Sequence, residues 1–471
     1  MAFARILRSS ALMGGAQVVT LGAGFLRAKI IALVIGPAGV GLVGVLTSFN
    51  SNLSSFAGWG LGTTGVRSIS SASEEERPGK IASVRKLGAR LAWLGLLAAL
   101  LLFWPVGILT FNSTLYHLEL FIAALSVPLI VATSAWSSLL QATGQIKSLA
   151  RVQMVSALVG LVLGLPLIYF LGLRGIAASL LLAAAIPAIF TWVAARRCCP
   201  PSVAVGDNYD IRHLVGLGGA LMLAAVIGQL SAYAVRIILI QAHGLEGAGY
   251  YQATFAIAGS LPGFVFTAMG TDFFPRIASV KTEAEAQELC EKQIQAGLLL
   301  ALPLIAGLLT LGQECIHLLY AQGFEQATPL LSWMAWGVFL RLLSWPMGYW
   351  LLARGSSRAV VIVESIASII SVLLPLALVP EFGIVGAAMG FFVSYVAYTA
   401  IMLVVSRKRS GRWLGPATLG WFALAAAILG VSQFIASNLD GPYWGMIPAV
   451  TLALLCVWIY FRTLRREKAA S

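Results

Sequence analysis

Stretches of about twenty apolar residues recur along almost the whole chain, and each is long enough to cross the ~30 Å hydrocarbon core of a bilayer as a helix. The chain of 471 residues is 59% hydrophobic and only 10% charged. Soluble domains carry about 25% charged residues, so this composition cannot cover a water-facing surface. The sequence therefore predicts an all-α polytopic membrane protein.

The apolar runs predict about fourteen transmembrane helices, with ends that are uncertain by several residues. The first six lie near residues 10–35, 38–64, 87–110, 116–141, 153–172 and 174–195. The next six lie near residues 213–241, 246–270, 293–312, 327–353, 359–379 and 383–405. A last pair falls near residues 416–437 and 443–462.

The basic residues predict how these helices are oriented in the membrane. If the N-terminus is cytoplasmic, 25 of the 31 Lys and Arg residues fall in cytoplasmic segments and the outside connections hold only Arg174. This distribution follows the positive-inside rule and predicts that both termini are cytoplasmic. The net charge of +13 is therefore mostly a topology signal. No nucleic-acid partner is expected, because no basic patch is interleaved with aromatic residues.

The two halves of the chain repeat each other with a step of 209 residues. This step relates Arg27 to Arg236, Arg67 to Arg276, Ser51 to Ser260 and Pro166 to Pro375. The turns GPAGVGLVG, from Gly36, and GLEGAGYYQ, from Gly244, also correspond. Each half holds about six spans, an even number, so the two six-helix repeats are expected to be parallel.

The repeat predicts three parts of the chain. Residues 1–200 form an N-lobe, residues 201–410 form a C-lobe, and residues 411–471 hold the last helix pair and a basic cytoplasmic tail. Folds of this kind bind their substrate between the halves and rock to give alternating access. The last pair lies outside the repeat, and the sequence leaves open whether it guides a lipid tail or packs against the core for stability.

Arg27 and Arg236 are charged residues inside predicted spans, and such residues mark functional sites because a charge in hydrocarbon costs several kcal/mol. Each lies on a polar or small-residue stripe with helical spacing, and the stripes include Gln17 for Arg27, and Gln229 and Tyr233 for Arg236. Both arginines lie ~10–14 Å below the outer surface, at 1.5 Å per residue. We expect them to face a central cationic cavity; the alternative is that they snorkel along lipid.

The second predicted helix is unusually hydrophilic, with Asn50 near its middle and several serines nearby. Hydroxyl and amide groups could line a hydrated path for sugars. They could equally form hydrogen bonds between helices, which is their commoner use in membranes. Both readings remain open from the sequence.

Four more charged residues lie in or next to predicted spans. Arg341 lies near the middle of the tenth helix and is a further candidate for the cavity. Glu364 lies early in the eleventh helix, and it is either a site that couples a proton or cation to transport or a buried carboxylate. Arg67 and Arg276 lie at inner helix ends, where they either collect anionic head groups of membrane lipids or serve as ordinary anchors.

No catalytic, cofactor or metal site is expected. The four histidines lie singly near predicted interfaces, and the five cysteines show no metal-ligand spacing. The chain has no phosphate-binding Gly-Lys-Ser/Thr loop. A membrane-embedded glycan polymerase or ligase would need a large polar loop outside the membrane, and the outside connections here are short.

The motifs of the chain resemble those of a known family. GPAGVGLVG after a first helix bearing Lys29, followed by GAGYYQATFAIAGS and DFFPRIASV in the second half, resemble the bacterial O-antigen and lipid III flippases. These are polysaccharide transporters of the multidrug/oligosaccharidyl-lipid/polysaccharide superfamily. The resemblance covers the twelve-helix core, roughly residues 1–405. Members often have about twelve spans, so the extra helix pair is a departure.

The resemblance implies a multi-pass protein of the bacterial inner (cytoplasmic) membrane. It would move undecaprenyl-pyrophosphate-linked oligosaccharide to the periplasmic leaflet, with glycan polymerase and chain-length proteins as partners. Guanidinium groups bind phosphate bidentately, so Arg27, Lys29, Arg236 and Arg341 become candidates for binding pyrophosphate. The alternative is a multidrug exporter of the same superfamily, which would need acidic cavity residues to bind organic cations.

Overall fold

The computed structural model describes residues 2–198, 211–354, 357–410 and 414–438, together with residues 446–448, 450, 451 and 454. Fifteen helices lie within these residues. The first eight are α1 (Ala2–Val34), α2 (Pro37–Gly58), α3 (Leu61–Ser70), α4 (Arg77–Phe111), α5 (His117–Ala124), α6 (Ser126–Ala142), α7 (Ile146–Leu171) and α8 (Leu173–Cys198). The others are α9 (Ile211–Ser279), α10 (Glu283–Thr310), α11 (Gly312–Leu319), α12 (Ala327–Ala353), α13 (Ser357–Phe382), α14 (Ile384–Ser410) and α15 (Pro416–Asn438).

Ten helical stretches among the described residues are long and apolar enough to cross a membrane. One of them, Val226–Ser260, runs through the middle of α9. The ten do not include α2, whose asparagines and serines make it more polar than its neighbours. The count of about fourteen spans stays a prediction, and most of the predicted helix at 443–462 lies outside the described residues.

Several helix boundaries differ from those predicted. The predicted helix 38–64 is interrupted at Trp59 and Gly60, whose φ angles of 47° and 67° are left-handed and therefore end α2. The predicted helix 116–141 is divided at Leu125 into α5 and α6. Apolar periodicity cannot show these breaks, because the side chains on both sides of each break remain apolar.

The two glycine turns of the repeat have the same backbone conformation. Gly36 has φ 86° and ψ −163°, and Gly244, which interrupts α9, has φ 66° and ψ −171°. Such positive φ angles favour glycine, which has no Cβ. After these turns α2 and α9 cross closely: a Cβ on Gly41 would overlap the carbonyl oxygen of Leu245, and a Cβ on Gly249 would overlap a carbonyl oxygen of α2.

The described chain divides into two compact units. The first comprises Met1–Gly249 with Leu319–Ala321, and the second comprises Tyr250–Leu318 with Gln322–Ser471. The division therefore falls within α9, whereas the sequence places the boundary between lobes at residues 200 and 201. The beginning of α9 joins the first unit because its side chains bond to α2 and α4. The lobe boundaries derived from the repeat stay a prediction.

Helices pack in the same order within each unit. In the first unit α7 packs against α8, α8 against α6, and α6 against α4. In the second unit α13 packs against α14, α14 against α12, and α12 against α10. This is the order that two copies of one helical pattern would give, although the parallel arrangement of the repeats stays a prediction.

The last hairpin of each unit shows the correspondence in atomic detail. Gly172, between α7 and α8, has φ 57°, and Gly383, between α13 and α14, has φ 61°. Three residues later, Gly175 and Gly386 each lie against a backbone carbonyl of the preceding helix, where a Cβ would overlap it. The two hairpins therefore match at a step of 211 residues, two more than the step in the earlier part of the chain.

This step corrects one pair proposed from the sequence. At a step of 211 residues Pro375 corresponds to Gly164, and not to Pro166. Their contacts agree: a Cβ on Gly164 would lie 3.4 Å from Cβ of Ser179, and a Cβ on Gly390 would lie 2.8 Å from the ring of Pro375. Ser179 and Gly390 are therefore equivalent positions in the two hairpins.

The helix α15, the first of the extra pair, is anchored to the second unit by polar contacts. Glu291 of α10 accepts hydrogen bonds from the Gly415 amide (2.7 Å) and from the Thr418 hydroxyl (3.1 Å) at the start of α15. Further along, the Trp336 indole of α12 donates to Gln433 (2.8 Å). This geometry supports the packing alternative for α15. The second helix of the pair lies mostly outside the described residues.

We expect Gly249→Ala to destabilise the protein, because the added Cβ overlaps backbone that has no rotamer to change. Overpacking of this kind costs about 1–3 kcal/mol. Thermal unfolding of purified protein in detergent measures the effect. Gly259→Ala is the control on the same helix, because its Cβ meets no atom within 4 Å. Equal melting temperatures for the two variants would contradict the close crossing.

We expect Glu291→Ala to loosen α15, because removing the carboxylate leaves the start of the helix without its acceptor. Loss of hydrogen bonds to a charged group costs about 1.5–3 kcal/mol. Trypsin should then cut faster at the basic end of α14, which contains Arg407 and Arg409. Glu288→Ala serves as the control, because Glu288 is exposed and pairs only with the exposed Lys292. Identical cleavage rates in both variants would show that Glu291 does not hold α15.

Candidate functional site

The Arg27 side chain extends from α1 to α8. Its Nη2 donates a hydrogen bond of 2.6 Å to Oγ of Ser179, and its Nε is buried without a hydrogen-bond partner among the described residues. The helices α1, α7 and α8 contain no Asp or Glu. Arg27 is thus a half-buried cation that a neutral hydroxyl orients and that no acidic residue of these helices neutralises.

Arg236, the counterpart of Arg27 in the repeat, has different surroundings. It is 4% exposed, and its Nη1 donates to the carbonyl oxygen of Ala232, one turn earlier in α9, at 2.8 Å. Both arginines belong to the first compact unit, although the repeat assigns them to different halves. The hypothesis that both face one central cavity stays a prediction.

Two of the predicted cavity residues bond to neighbouring helices. Gln229 of α9 exchanges hydrogen bonds with Ser55 of α2, at 3.0 Å from its amide nitrogen and 3.3 Å to its amide oxygen. The Tyr233 hydroxyl lies 2.9 Å from the Thr110 hydroxyl of α4. In this structure these side chains follow the second of the two alternatives, in which polar groups join helices.

The other predicted residues of the first unit lie in varied environments. Gln17 is exposed on α1, and Lys29 is half-buried one turn before the end of the helix. Asn50 on α2 is 5% exposed, and its Oδ1 has no hydrogen-bond partner among the described residues. An unsatisfied buried acceptor costs about 1–3 kcal/mol, so Asn50 retains a capacity to bind.

Arg341 and Glu364 belong to the second unit. The Arg341 guanidinium lies over the Phe266 ring, 4.9 Å from its centroid, in a cation–π contact. Glu364 of α13 accepts a hydrogen bond of 2.9 Å from the Tyr398 hydroxyl of α14. No ion pair joins Arg341 to Glu364 within the described part of the chain, consistent with the different depths estimated from the sequence.

Arg67 and Arg276, the predicted residues of the inner mouth, are both exposed. Each lies in the last turn of its helix, Arg67 in α3 and Arg276 in α9. Basic side chains at a helix C-terminus are favourable because of the helix dipole. Their positions fit both alternatives, lipid head-group binding and simple anchoring.

Sequence reasoning missed two buried polar residues. Ser179 is completely buried and is the partner of Arg27, yet a single serine in an apolar helix has no recognisable pattern. Glu119 in α5 is 4% exposed and its Oε2 has no partner among the described residues, although the sequence suggests that Glu364 is the only acidic residue well inside a span. Its position in the first turn of α5 is the signal that would have indicated it.

Comparison with known proteins gives matches over most of the chain. A family model described as polysaccharide biosynthesis protein matches residues 6–281, and a model of the lipid II flippase MurJ matches residues 221–447. The lipid III flippase of Escherichia coli (strain K12) is 23% identical over 418 residues, which cover 84% of this chain and 97% of the relative. A probable low-salt glycan biosynthesis flippase of Haloferax volcanii is 23% identical over 265 residues, 53% of each chain.

Solved structures show the same fold. The lipid II flippase MurJ in an inward closed conformation superposes with a TM-score of 0.75 and 14% identity, over 97% of this chain and 99% of that chain. An inward-facing multidrug transporter of the MATE family superposes with a TM-score of 0.56 and 15% identity, over 84% and 94%. These similarities confirm the prediction of an all-α multi-pass membrane protein, with a fold like that of MurJ and the MATE transporters.

The first of these family models spans more than half of the sequence, and it agrees with the motifs that follow the first and seventh predicted helices. The chain therefore belongs to the polysaccharide biosynthesis protein family.

Proposed function

We propose that this protein is a flippase that moves undecaprenyl-pyrophosphate-linked oligosaccharide from the cytoplasmic to the periplasmic leaflet of the bacterial inner membrane. The family supports transport for polysaccharide biosynthesis, and the lipid III flippase of Escherichia coli is a relative over 84% of the chain. The observation that carries the proposal is Arg27: a guanidinium inside a span, without an acidic residue on its neighbouring helices.

An uncompensated cation in hydrocarbon is costly, and an anionic substrate removes that cost while it is bound. Pyrophosphate offers oxygens that a guanidinium binds at several N–H groups. Arg27 has one of its five donors directed to Ser179, and its Nε has no partner among the described residues. Lys29, Arg236 and Arg341 are the other cations assigned to this role.

The transport cycle proposed here is alternating access through a central cationic cavity. The two parallel six-helix repeats would form its walls, with both termini in the cytoplasm. Gln17, Asn50, Gln229 and Tyr233 are the polar side chains assigned to the cavity, and the hydrogen bonds of Gln229 and Tyr233 would then exchange during the cycle. An inside-negative potential favours outward movement of an anion by about 2.3 kcal/mol per charge per 100 mV.

We expect the double substitution Arg27→Ala and Arg236→Ala to abolish transport, because the pyrophosphate then has no cation to replace its hydration. Lipid-linked oligosaccharide should accumulate in the cytoplasmic leaflet, which leaflet-resolved detection in cells measures. Arg174→Ala is the matched control, because Arg174 is an exposed arginine at the start of α8. Normal surface glycan in the double variant, at unchanged protein abundance, would rule out the cationic-cavity mechanism.

Glu364 is the residue we assign to coupling, because it is the acidic residue within the described span Arg358–Phe382 that lies away from its outer end. We expect Glu364→Gln to keep the hydrogen bond from Tyr398, since the amide oxygen also accepts, but to lose any stimulation of transport by an imposed proton or sodium gradient. Tyr398→Phe is the control, because it removes the hydrogen bond and leaves the carboxylate. An unchanged gradient response would identify Glu364 as a structural carboxylate.

The multidrug exporter is the alternative function. The MATE transporters share the fold, and Glu364 supplies one acidic side chain within a span. Export of organic cations would appear as lowered resistance in a deletion strain, with normal distribution of lipid-linked oligosaccharide between leaflets. The resemblance of the motifs and the absence of acidic residues from α1, α2, α7 and α8 favour an anionic substrate instead.

A further inference from the structure

We propose that Ser179 is the positioning residue of the anion site: it holds the Arg27 guanidinium ready for phosphate oxygens without neutralising its charge. This inference rests on the proposed function and identifies a residue that the family motifs do not contain. Ser179 lies on α8 and is completely buried, and its Oγ is 2.6 Å from Nη2 of Arg27.

The hydroxyl of Ser179 is itself fixed in direction. It donates its one hydrogen to the carbonyl oxygen of Ile176, at 2.8 Å. A hydroxyl group has a single hydrogen and two lone pairs, so this bond leaves the lone pairs for Arg27. The guanidinium therefore meets an oriented acceptor.

The backbone around Ser179 is also tightly packed. Gly175, one turn earlier in α8, lies against the carbonyl group of Leu167 in α7, and a Cβ on Gly164 would lie 3.4 Å from Cβ of Ser179. Both contacts need glycine because the two helices approach closely. Ser179 is therefore held at a fixed place on a rigid hairpin, and that rigidity passes to Arg27.

The chemical type of this partner matters for anion binding. An aspartate or glutamate at position 179 would form an ion pair with Arg27 and compete with the substrate. A serine hydroxyl orients the guanidinium while the full positive charge remains available, and α1, α7 and α8 supply no acidic residue. This arrangement fits a ligand of high negative charge and several oxygens, which is the chemistry of a pyrophosphate.

The second unit lacks this device. The position equivalent to Ser179 in the α13–α14 hairpin is Gly390, which has no side chain to offer a hydroxyl. Arg236, the sequence counterpart of Arg27, instead donates to Ala232 of its own helix. The two arginines match in the repeat but differ in how they are held, so we infer that Arg27 makes the main contact with the anion.

The test uses full-length protein in nanodiscs, with inorganic pyrophosphate as the probe in calorimetric titrations and lipid-linked oligosaccharide in transport assays. We expect Ser179→Ala to weaken pyrophosphate binding about tenfold, the loss typical of one hydrogen bond to a charged group. Ser179→Thr keeps the hydroxyl and should retain most of the affinity. Ser156→Ala is the matched control, because Ser156 on α7 is buried and its Oγ has no partner among the described residues.

A double-substitution cycle separates positioning from a structural effect. If Ser179 acts through Arg27, Ser179→Ala should have no further effect on binding in an Arg27→Ala background. An equal loss in both backgrounds, or affinity in Ser179→Ala equal to that in Ser156→Ala, would overturn the proposal. Ser179→Gly, which reproduces the residue of the second hairpin, replaces Ser179→Ala if the alanine variant does not fold.

The outcomes also distinguish this inference from the function on which it rests. If the unsubstituted protein binds pyrophosphate and moves the lipid while Ser179→Ala behaves like the control, only the role of Ser179 is wrong. If the unsubstituted protein neither binds pyrophosphate nor moves the lipid, the flippase proposal itself fails, and the role of Ser179 fails with it.

Discussion

The cost of placing a charge in hydrocarbon is the constraint on which the candidate site depends. A guanidinium in a span must find a partner, reach water or bind an anion. Arg27 finds a single neutral hydroxyl within the described residues, and its Nε remains unsatisfied. The stability lost to this arrangement is the physical reason to expect a substrate there, because native proteins rarely leave buried donors unpaired without a functional cause.

Close approach of helix backbones supports this site. The α7–α8 hairpin that carries Ser179 is tight because Gly175 lies directly against a backbone carbonyl, and the crossing of α2 with α9 depends in the same way on Gly41 and Gly249. Small residues allow such packing in membranes, where the hydrophobic effect does not drive helices together. Polar contacts add specificity, as with Gln229 and Ser55.

The extra helix pair is explained in part by the same principle. The carboxylate of Glu291 accepts the first donors of α15, which would otherwise be unpaired at the helix start. At the other end Trp336 donates to Gln433. A helix joined to its unit by hydrogen bonds at both ends is a structural part of that unit, whatever further role its lipid-facing surface has.

The sequence by itself determined the membrane class, the number of apolar runs, the glycine turns and the presence of charges within spans. These follow from composition and local chemistry: apolar length predicts spans, and Gly36 and Gly244 take backbone conformations that suit glycine. The family was recognisable from the motifs around these turns.

Tertiary structure alone decided which side chains meet. It joined Arg27 to Ser179, 152 positions apart, and directed Arg236 to its own helix. It also showed that the hairpins match at a step of 211 residues, so that Ser179 corresponds to Gly390. The physical reason is that periodicity specifies a helix face only to within a turn, whereas a hydrogen bond depends on distances of a few tenths of an ångström.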